Sequence, residues 1–192
     1  MKNGGIIILR KPDVKIQNIV ASGSLGGKID LEQAVGALGK TMYEPEQFPG
    51  LVFRLKRPKT ATLIFHSGKM VCTGARSEKE ARRAIMKVVK EMKNGGIIIL
   101  RKPDIKIQNI VASGSLGGKI DLELAVGALG KTMYEPEQFP GLIHRMDEPR
   151  VVILLFATGK LVCTGAKSEQ DVHDAVHKLH ASLEEKNLIF YE

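Results

Sequence analysis

The stretch "TLIFHSGKMVCTGA", Thr62–Ala75, predicts two β-strands joined by a tight turn at Ser67-Gly68. Apolar and β-branched residues dominate on both sides of the turn. Because successive side chains of a strand point to opposite faces, Met70 and Cys72 lie on one face and Val71 lies on the other. Both faces are therefore largely apolar. If helices cover one face, the other is an exposed hydrophobic surface of the kind that marks a binding site.

The same pattern returns 91 positions later as "ILLFATGKLVCTGA", Ile153–Ala166. Sliding the chain along itself by 91 positions aligns it without a gap, and the first 51 residues match the corresponding segment at 49 positions. Such self-similarity indicates a tandem duplication. We predict two repeats, residues 1–91 and 92–192, that together form one pseudo-symmetric domain.

Each repeat reads as a strand, a short helix, several strands and a long helix, an order that predicts an α+β fold with an antiparallel sheet. "VKIQNIVAS" from Val14 alternates as a strand does, and Asp30 is a candidate cap for the short helix. Ser77 and Glu80 form a capping box for the long helix. Apolar residues at helical spacing predict the buried stripes of the long helices: Ala81, Ala84, Ile85, Val88 and Met92, then Val172, Ala175, Val176, Leu179 and Leu183.

The composition points to a polyanionic partner. Lys and Arg outnumber Asp and Glu by 29 to 21, which gives a net charge of +8. Two distant cysteines, Cys72 and Cys163, predict free thiols in a reducing compartment. No apolar run approaches the roughly 20 residues of a membrane span, so we expect no membrane association and a cytosolic or nuclear location.

Four motifs now carry a family resemblance: "IQNIVAS", "EPEQFPGL", "LIFHSGKMVCTGAR" and "LLFATGKLVCTGAK", in this order and duplicated. They resemble the TATA-box-binding protein family, its archaeal members most, from about Val14 to Leu183. The resemblance implies two tandem repeats that form a ten-stranded antiparallel saddle-shaped sheet. Its concave side would lie in the DNA minor groove, and four helices would cover the convex face.

The resemblance also assigns a role to "YEPEQFPGL", which occurs at Tyr43–Leu51 and again at Tyr134–Leu142. Its Pro-Gly turn would present a phenylalanine that enters a base step and kinks the duplex, a mechanism for which this family is the standard example. An apolar ring replaces part of the lost stacking without demanding hydrogen bonds. The implied intercalating residues are Phe48, Phe65, Phe139 and Phe156.

Base contacts are implied for a floor of apolar and small polar residues: Asn18, Val20, Val52, Leu63, Val71 and Thr73, with Asn109, Val111, Ile143, Leu154, Val162 and Thr164. Such a floor favours A·T pairs, because it offers nothing to accept from the guanine amino group of the minor groove. Flexible TA steps sharpen the preference through deformability. The implied phosphate contacts are Arg54, Lys69, Arg76, Arg145, Lys160 and Lys167.

The expected partners are A·T-rich double-stranded DNA, transcription factor B and the RNA polymerase pre-initiation complex. The implied partner-binding residues are Glu44, Glu46, Glu135 and Glu137. Because both repeats carry these glutamates, we expect a partner to distinguish the repeats by flanking residues such as Phe53 against His144 and Lys56 against Asp147. Residues 1–91 have a net charge of +9 and residues 92–192 a net charge of −1, so the repeats also differ in charge. No cofactor and no metal is expected.

Two other functions remain as alternatives. "AVGALGKT", Ala34–Thr41, and its copy Ala125–Thr132 fit a relaxed phosphate-loop pattern, which would indicate a nucleotide-binding enzyme. A phosphate loop follows a strand and opens a helix, whereas this motif is predicted to end a helix. The other alternative is a protein-binding scaffold that uses the apolar sheet face, which predicts no preference for A·T DNA.

Three smaller features have a structural and a functional interpretation. His173, His177, His180 and Glu184 share one predicted helix face and could hold a metal, but a solvated flank beside the apolar stripe is favoured. The paired glutamates have no accompanying base or nucleophile that would make them catalytic. "SGSLGGK", Ser22–Lys28, departs from the bulkier residues usual in the family, so we expect a looser sheet edge there.

Overall fold

The computed structural model describes residues 2–3, 6–7 and 11–192, with side chains described from residue 11 onward. Its four described helices are α1 Leu31–Leu38, α2 Glu78–Asn94, α3 Leu122–Leu129 and α4 Glu169–Glu185. The described strands are β1 Lys2–Asn3, β2 Ile6–Ile7, β3 Asp13–Ser24, β4 Thr41–Met42, β5 Leu51–Lys56, β6 Lys59–Ile64, β7 Lys69–Ala75, β8 Asp104–Ser115, β9 Lys119–Ile120, β10 Thr132–Met133, β11 Leu142–Asp147, β12 Arg150–Leu155, β13 Lys160–Ala166 and β14 Ile189–Phe190.

Ten of these strands form one sheet in the order β10-β11-β12-β13-β8-β3-β7-β6-β5-β4. The predicted α+β class, the ten-stranded antiparallel sheet and the four helices are thus confirmed. Two small pairs, β1 with β2 and β14 with β9, were not predicted. Strands of two residues have no periodicity that a sequence pattern could reveal.

The chain divides into two compact units. The central unit is Ile16–Ile110, and the terminal unit combines Met1–Lys15 with Val111–Glu192. The central unit contains α1, α2 and β4–β7, and the terminal unit contains α3, α4 and β9–β14. Each unit therefore pairs two helices with strands of the sheet.

The long helices begin where the sequence predicts. The Ser77 hydroxyl accepts from the Glu80 N–H at 3.0 Å, and the Ser168 hydroxyl accepts from the Asp171 N–H at 3.1 Å. These bonds satisfy N–H groups that the first turn of a helix leaves unpaired. Both predicted apolar stripes are buried, and α2 packs on β6 and β7 while α4 packs on β13. None of the described helices is long and apolar enough to cross a membrane.

Burial alternates along the central-unit strands as predicted. Met70, Cys72 and Ile64 are inaccessible to solvent, whereas their neighbours Val71 and Leu63 are half-buried. The fully buried set faces the helices, and the half-buried set leaves a sheet face that no described helix covers. We call the half-buried side the open face. The terminal unit repeats the alternation along β12 and β13, and burial there raises the pKa of the Cys163 thiol to about 11.

The segment predicted to be a loose sheet edge is tied down instead. The Leu25 N–H donates to the Gly68 carbonyl at 3.1 Å, and the Ile29 N–H donates to the His66 carbonyl at 2.8 Å. A Cβ at Gly68 would lie 2.0 Å from the Gly27 carbonyl oxygen. Small residues in "SGSLGGK" therefore allow two backbone segments to approach closely rather than loosening the edge.

Candidate nucleic-acid interface

Each unit places two of the predicted intercalating phenylalanines against each other. In the central unit the ring centroids of Phe48 and Phe65 lie 5.9 Å apart with an interplanar angle of 68°. In the terminal unit Phe139 and Phe156 lie 5.8 Å apart at 66°. These are edge-to-face pairs, a preferred arrangement for aromatic rings.

The turn "EPEQFPG" explains how an apolar ring comes to lie at the surface. In the central unit the Glu44 carbonyl accepts from the N–H groups of both Gln47 and Phe48, at 2.9 and 3.0 Å. Glycine follows because a Cβ at Gly50 would lie 2.7 Å from the Phe48 ring and 3.0 Å from the Phe65 ring. Phe48 is 41% exposed, although full burial of a phenylalanine side chain would stabilise the fold by about 1.5–3 kcal/mol.

The terminal unit builds the same turn. The Glu135 carbonyl accepts from Gln138 and Phe139 at 2.9 and 3.0 Å, and a Cβ at Gly141 would lie 2.7 Å from the Phe139 ring. Phe139 is 37% exposed. Both copies of the motif therefore hold one ring outward, braced by a less exposed partner ring.

All twelve predicted base-contact residues are half-buried: Asn18, Val20, Val52, Leu63, Val71, Thr73, Asn109, Val111, Ile143, Leu154, Val162 and Thr164. Strand register aligns several of them across the sheet. In the central unit Val52 pairs with Leu63 and Leu63 with Val71. In the terminal unit Ile143 pairs with Leu154, which pairs with Val162. Each unit thus has an apolar row across its open face.

Asn18 is held by a β-bulge that sequence reasoning missed. Ile19 pairs with Ala75 but Ala21 pairs with Cys72, so β7 carries one extra residue at this point. The extra length lets the Gly74 N–H donate to Asn18 Oδ1 at 2.7 Å, while Asn18 Nδ2 donates to the Thr73 hydroxyl at 3.1 Å. The acceptor oxygen is thereby turned inward. A second Nδ2 hydrogen remains for an acceptor such as adenine N3 or thymine O2.

A glycine inside a strand was the available signal for this bulge. Gly74 has φ +103°, and Gly165 has φ +97° at the matching position of the terminal unit. Both conformations are ones that other residues rarely adopt.

The predicted phosphate contacts are exposed side chains: Arg54, Lys69, Arg76, Arg145, Lys160 and Lys167. In the central unit Arg54 and Arg76 line a cavity of about 500 Å³ together with Asn18 and Thr73. In the terminal unit Lys160 lines a cavity of about 680 Å³ with Phe156 and Val162. Predicted phosphate-contact residues and predicted base-contact residues therefore line the same cavity in each unit.

The predicted partner-binding glutamates Glu44, Glu46, Glu135 and Glu137 are all exposed on their turns. Of the flanking residues, Phe53 is only 7% exposed. His144 is half-buried, and burial lowers the pKa of its imidazole. The prediction that a partner reads Phe53 is therefore wrong, since its side chain faces the core. Lys56 and Asp147 are exposed and remain available for contact.

Charge pairing differs between the units at this flank. Lys131 Nζ donates to an Asp147 carboxylate oxygen, and this bond lowers the pKa of the Asp147 carboxyl. In the central unit the corresponding residues are Lys40 and Lys56, two cations. The terminal unit thus carries a neutralised lysine where the central unit carries two positive charges.

The phosphate-loop motif and the histidine cluster, the two other candidate sites, do not have the surroundings of a nucleotide or metal site. Ala34–Leu38 belong to the last turns of α1, and Thr41 begins β4, so the phosphate-loop motif ends a helix as predicted. His180 is 6% exposed rather than solvated, and its Nε2 lies 2.7 Å from the Tyr191 hydroxyl, which donates to Glu184. Over the described residues no cluster of potential metal ligands is found.

Known proteins share this architecture. The family model for transcription factor TFIID, or TATA-binding protein, matches residues 13–95 and 104–186. The TATA-box-binding protein of Methanothermobacter thermautotrophicus is 54% identical over 177 residues, covering 92% of this chain and 98% of the relative. That of Pyrobaculum aerophilum is 52% identical over 181 residues, covering 94% and 91%. The solved structure of Methanococcus jannaschii TBP superposes with a TM-score of 0.81 at 50% identity, covering 90% of this chain and 99% of that one.

Proposed function

The chain belongs to the TATA-binding protein family, and from this premise we propose how its residues act on DNA. It is a general transcription initiation factor of the archaeal type and not an enzyme. We propose that the open face of each unit contacts the minor groove of an A·T-rich element. The exposed phenylalanines Phe48 and Phe139, braced by Phe65 and Phe156, would enter base steps and kink the duplex.

The observation that carries this proposal is the composition of the open face. Half-buried valine, leucine and isoleucine side chains form its rows, and each unit also carries an exposed phenylalanine ring. Minor-groove edges of A·T pairs present acceptors only, whereas G·C pairs add an amino donor. An apolar row leaves that donor unpaired, which costs about 1–3 kcal/mol for each buried amine. Exposed cations at the margins supply sequence-independent affinity for phosphates.

A mobility-shift titration tests the proposal directly. Replacing two adjacent A·T pairs of a TATA-like duplex with G·C should weaken binding about 100-fold, because two guanine amines are then buried without acceptors. Affinity for both duplexes should fall as salt rises, since the phosphate contacts are common to them. Equal affinity for the two duplexes at every salt concentration would contradict the proposal and favour a protein-binding scaffold.

We also propose that transcription factor B docks on the turn that carries Glu135 and Glu137 and that RNA polymerase joins the resulting complex. Acidic, exposed side chains on a rigid turn suit a basic protein surface. A protein with this activity would be located with the genome, in the nucleoid of an archaeal cytoplasm or in the nucleus of a eukaryote. Glu44 and Glu46 repeat the turn, so the charge difference between Lys56 and Asp147 is a means by which the two turns are told apart.

Asp147→Asn tests whether the charge difference between Lys56 and Asp147 also affects DNA binding. The change releases Lys131 from its ion pair and should steepen the salt dependence, adding about one to the slope of log K against log salt. Affinity at low salt should rise accordingly. Glu148→Gln is the matched control, since it removes a neighbouring exposed carboxylate that forms no described ion pair with Lys131. Equal slopes for the Asp147 and Glu148 variants would show that Lys131 does not reach the duplex.

A further inference from the structure

Each outermost strand of the ten-stranded sheet places a methionine on the open face. In the central unit Met42 of β4 pairs with Val52 of β5, which continues across the sheet through Leu63 to Val71. In the terminal unit Met133 of β10 pairs with Ile143, the first member of the row that continues to Val162. Directly paired residues of antiparallel strands have side chains on the same face. Each apolar row therefore extends one strand beyond the predicted base contacts.

These methionines are far more exposed than the rows they extend. Met42 is 60% exposed and Met133 is 55% exposed, whereas their pairing partners Val52 and Ile143 are half-buried. Exposed edge strands usually carry charged residues or proline, because an apolar edge invites aggregation. Neither methionine is needed to fill the core at this exposure. The tandem duplication places this residue on both edges, and a ligand bound to the open face would cover both side chains.

We propose that Met42 and Met133 are the outer ends of the DNA-contact surface and close on sugar carbons of the minor-groove walls beyond the kinked steps. The inference rests on the proposed function, since it adds contacts to the same open face. On this proposal the two methionines determine how long a stretch of duplex is bound and how long the complex lasts. The base sequence of the DNA would still be recognised by the apolar rows between the two methionines.

The chemistry of the side chain suits this position. A thioether chain has no hydrogen-bond donor to satisfy, and its three rotatable bonds let it fill an irregular apolar gap. Sugars line the minor groove and offer carbon-bound hydrogens rather than sequence-specific groups. The duplex is expected to bend away at the kinks, so a contact outside them has to adapt its shape. Because the methionines continue rows assigned to DNA, the duplex is favoured over a protein as their occupant.

The test compares Met42→Gln and Met133→Gln, singly and together, with the unaltered protein on a TATA-like duplex. Glutamine keeps the length of the chain but adds an amide that loses its hydration when it is covered. Each single change should speed dissociation about fivefold, and the double change about 20-fold or more, because the sites are independent. Hydroxyl-radical footprints should lose protection at the outermost sugars while the central protection persists.

Met86→Gln is the matched control, because Met86 is a 41%-exposed methionine on α2, outside the open face. It should leave dissociation and footprint unchanged. Unaltered dissociation and footprint in the double Met42/Met133 variant would overturn the inference, and so would an effect seen only after transcription factor B is added, which would assign these residues to a protein contact. In either case continued preference of the same variant for A·T over G·C duplexes would show that the proposed function itself stands.

Discussion

Removing both exposed rings, Phe48→Ala with Phe139→Ala, should weaken binding to a TATA-like duplex about 1,000-fold and largely abolish bending. Each of these residues is 37–41% exposed in the free protein, and the proposal is that its ring becomes fully buried by entering a base step. Losing a central aromatic anchor typically costs about 2 kcal/mol, so two independent losses amount to about 4 kcal/mol. At 1.4 kcal/mol for each factor of ten, this corresponds to roughly three orders of magnitude.

Fluorescence energy transfer between the duplex ends reports the bend, and a titration by anisotropy reports affinity. The free energy of unfolding should fall by a few kcal/mol for the two rings together, because the change removes the edge-to-face pairs and the apolar area that each ring already buries. Phe190→Ala is the matched control: Phe190 is 50% exposed but lies on β14, outside the ten-stranded sheet. It should bind and bend the duplex like the unaltered protein.

An affinity within threefold of the unaltered protein, with an undiminished bend, would show that these rings are not wedges. A loss of affinity without a loss of bending would assign them to the floor of the interface instead. Measuring affinity and bend on the same variant therefore separates the kinking role from simple burial of the rings against DNA.

Local patterns predicted the parts of this fold whose cause is local. Alternation from Met70 to Thr73 placed these residues correctly on two faces, and the capping box at Ser77 marked the start of α2 within one residue. These features depend on neighbours no more than a few positions apart. The resemblance then supplied the ten-stranded arrangement, which alternation alone could not specify.

The sequence-based predictions failed where segments that are distant in the sequence come into contact. Phe53 looked like a surface flank, but its strand register with Thr41 and Thr62 turns it toward the core. His180 was predicted to be solvated, but the Tyr191 hydroxyl lies against its imidazole ring. Asn18 was predicted to contact bases, but the bulge that orients its amide was not predicted, because it depends on a contact 56 residues away in sequence. Such contacts leave no periodic trace in a single sequence.

The turn at Gly68 depends on the most severe of these distant contacts, and Gly68→Ala should lower the free energy of unfolding by about 3 kcal/mol or more. Gly68 has φ +89°, a conformation that costs an L-residue about 1–2 kcal/mol. An added Cβ would also lie 2.0 Å from the carbonyl oxygen of Gly27, which is backbone and cannot rotate away. Relief requires the two segments to separate, and that movement strains the bond from the Leu25 N–H to the Gly68 carbonyl.

Urea unfolding followed by circular dichroism measures the change, and Gly36→Ala provides a control of opposite sign. Gly36 lies within α1, and nothing stands within 4 Å of the position where its Cβ would be. Alanine there should stabilise the protein by about 0.5–1 kcal/mol, because it favours the helix. If Gly68→Ala unfolded at the same urea concentration as the unaltered protein, the close approach of Gly27 and Gly68 would not exist in solution. The looser sheet edge expected from the small residues of this segment would then be the correct description.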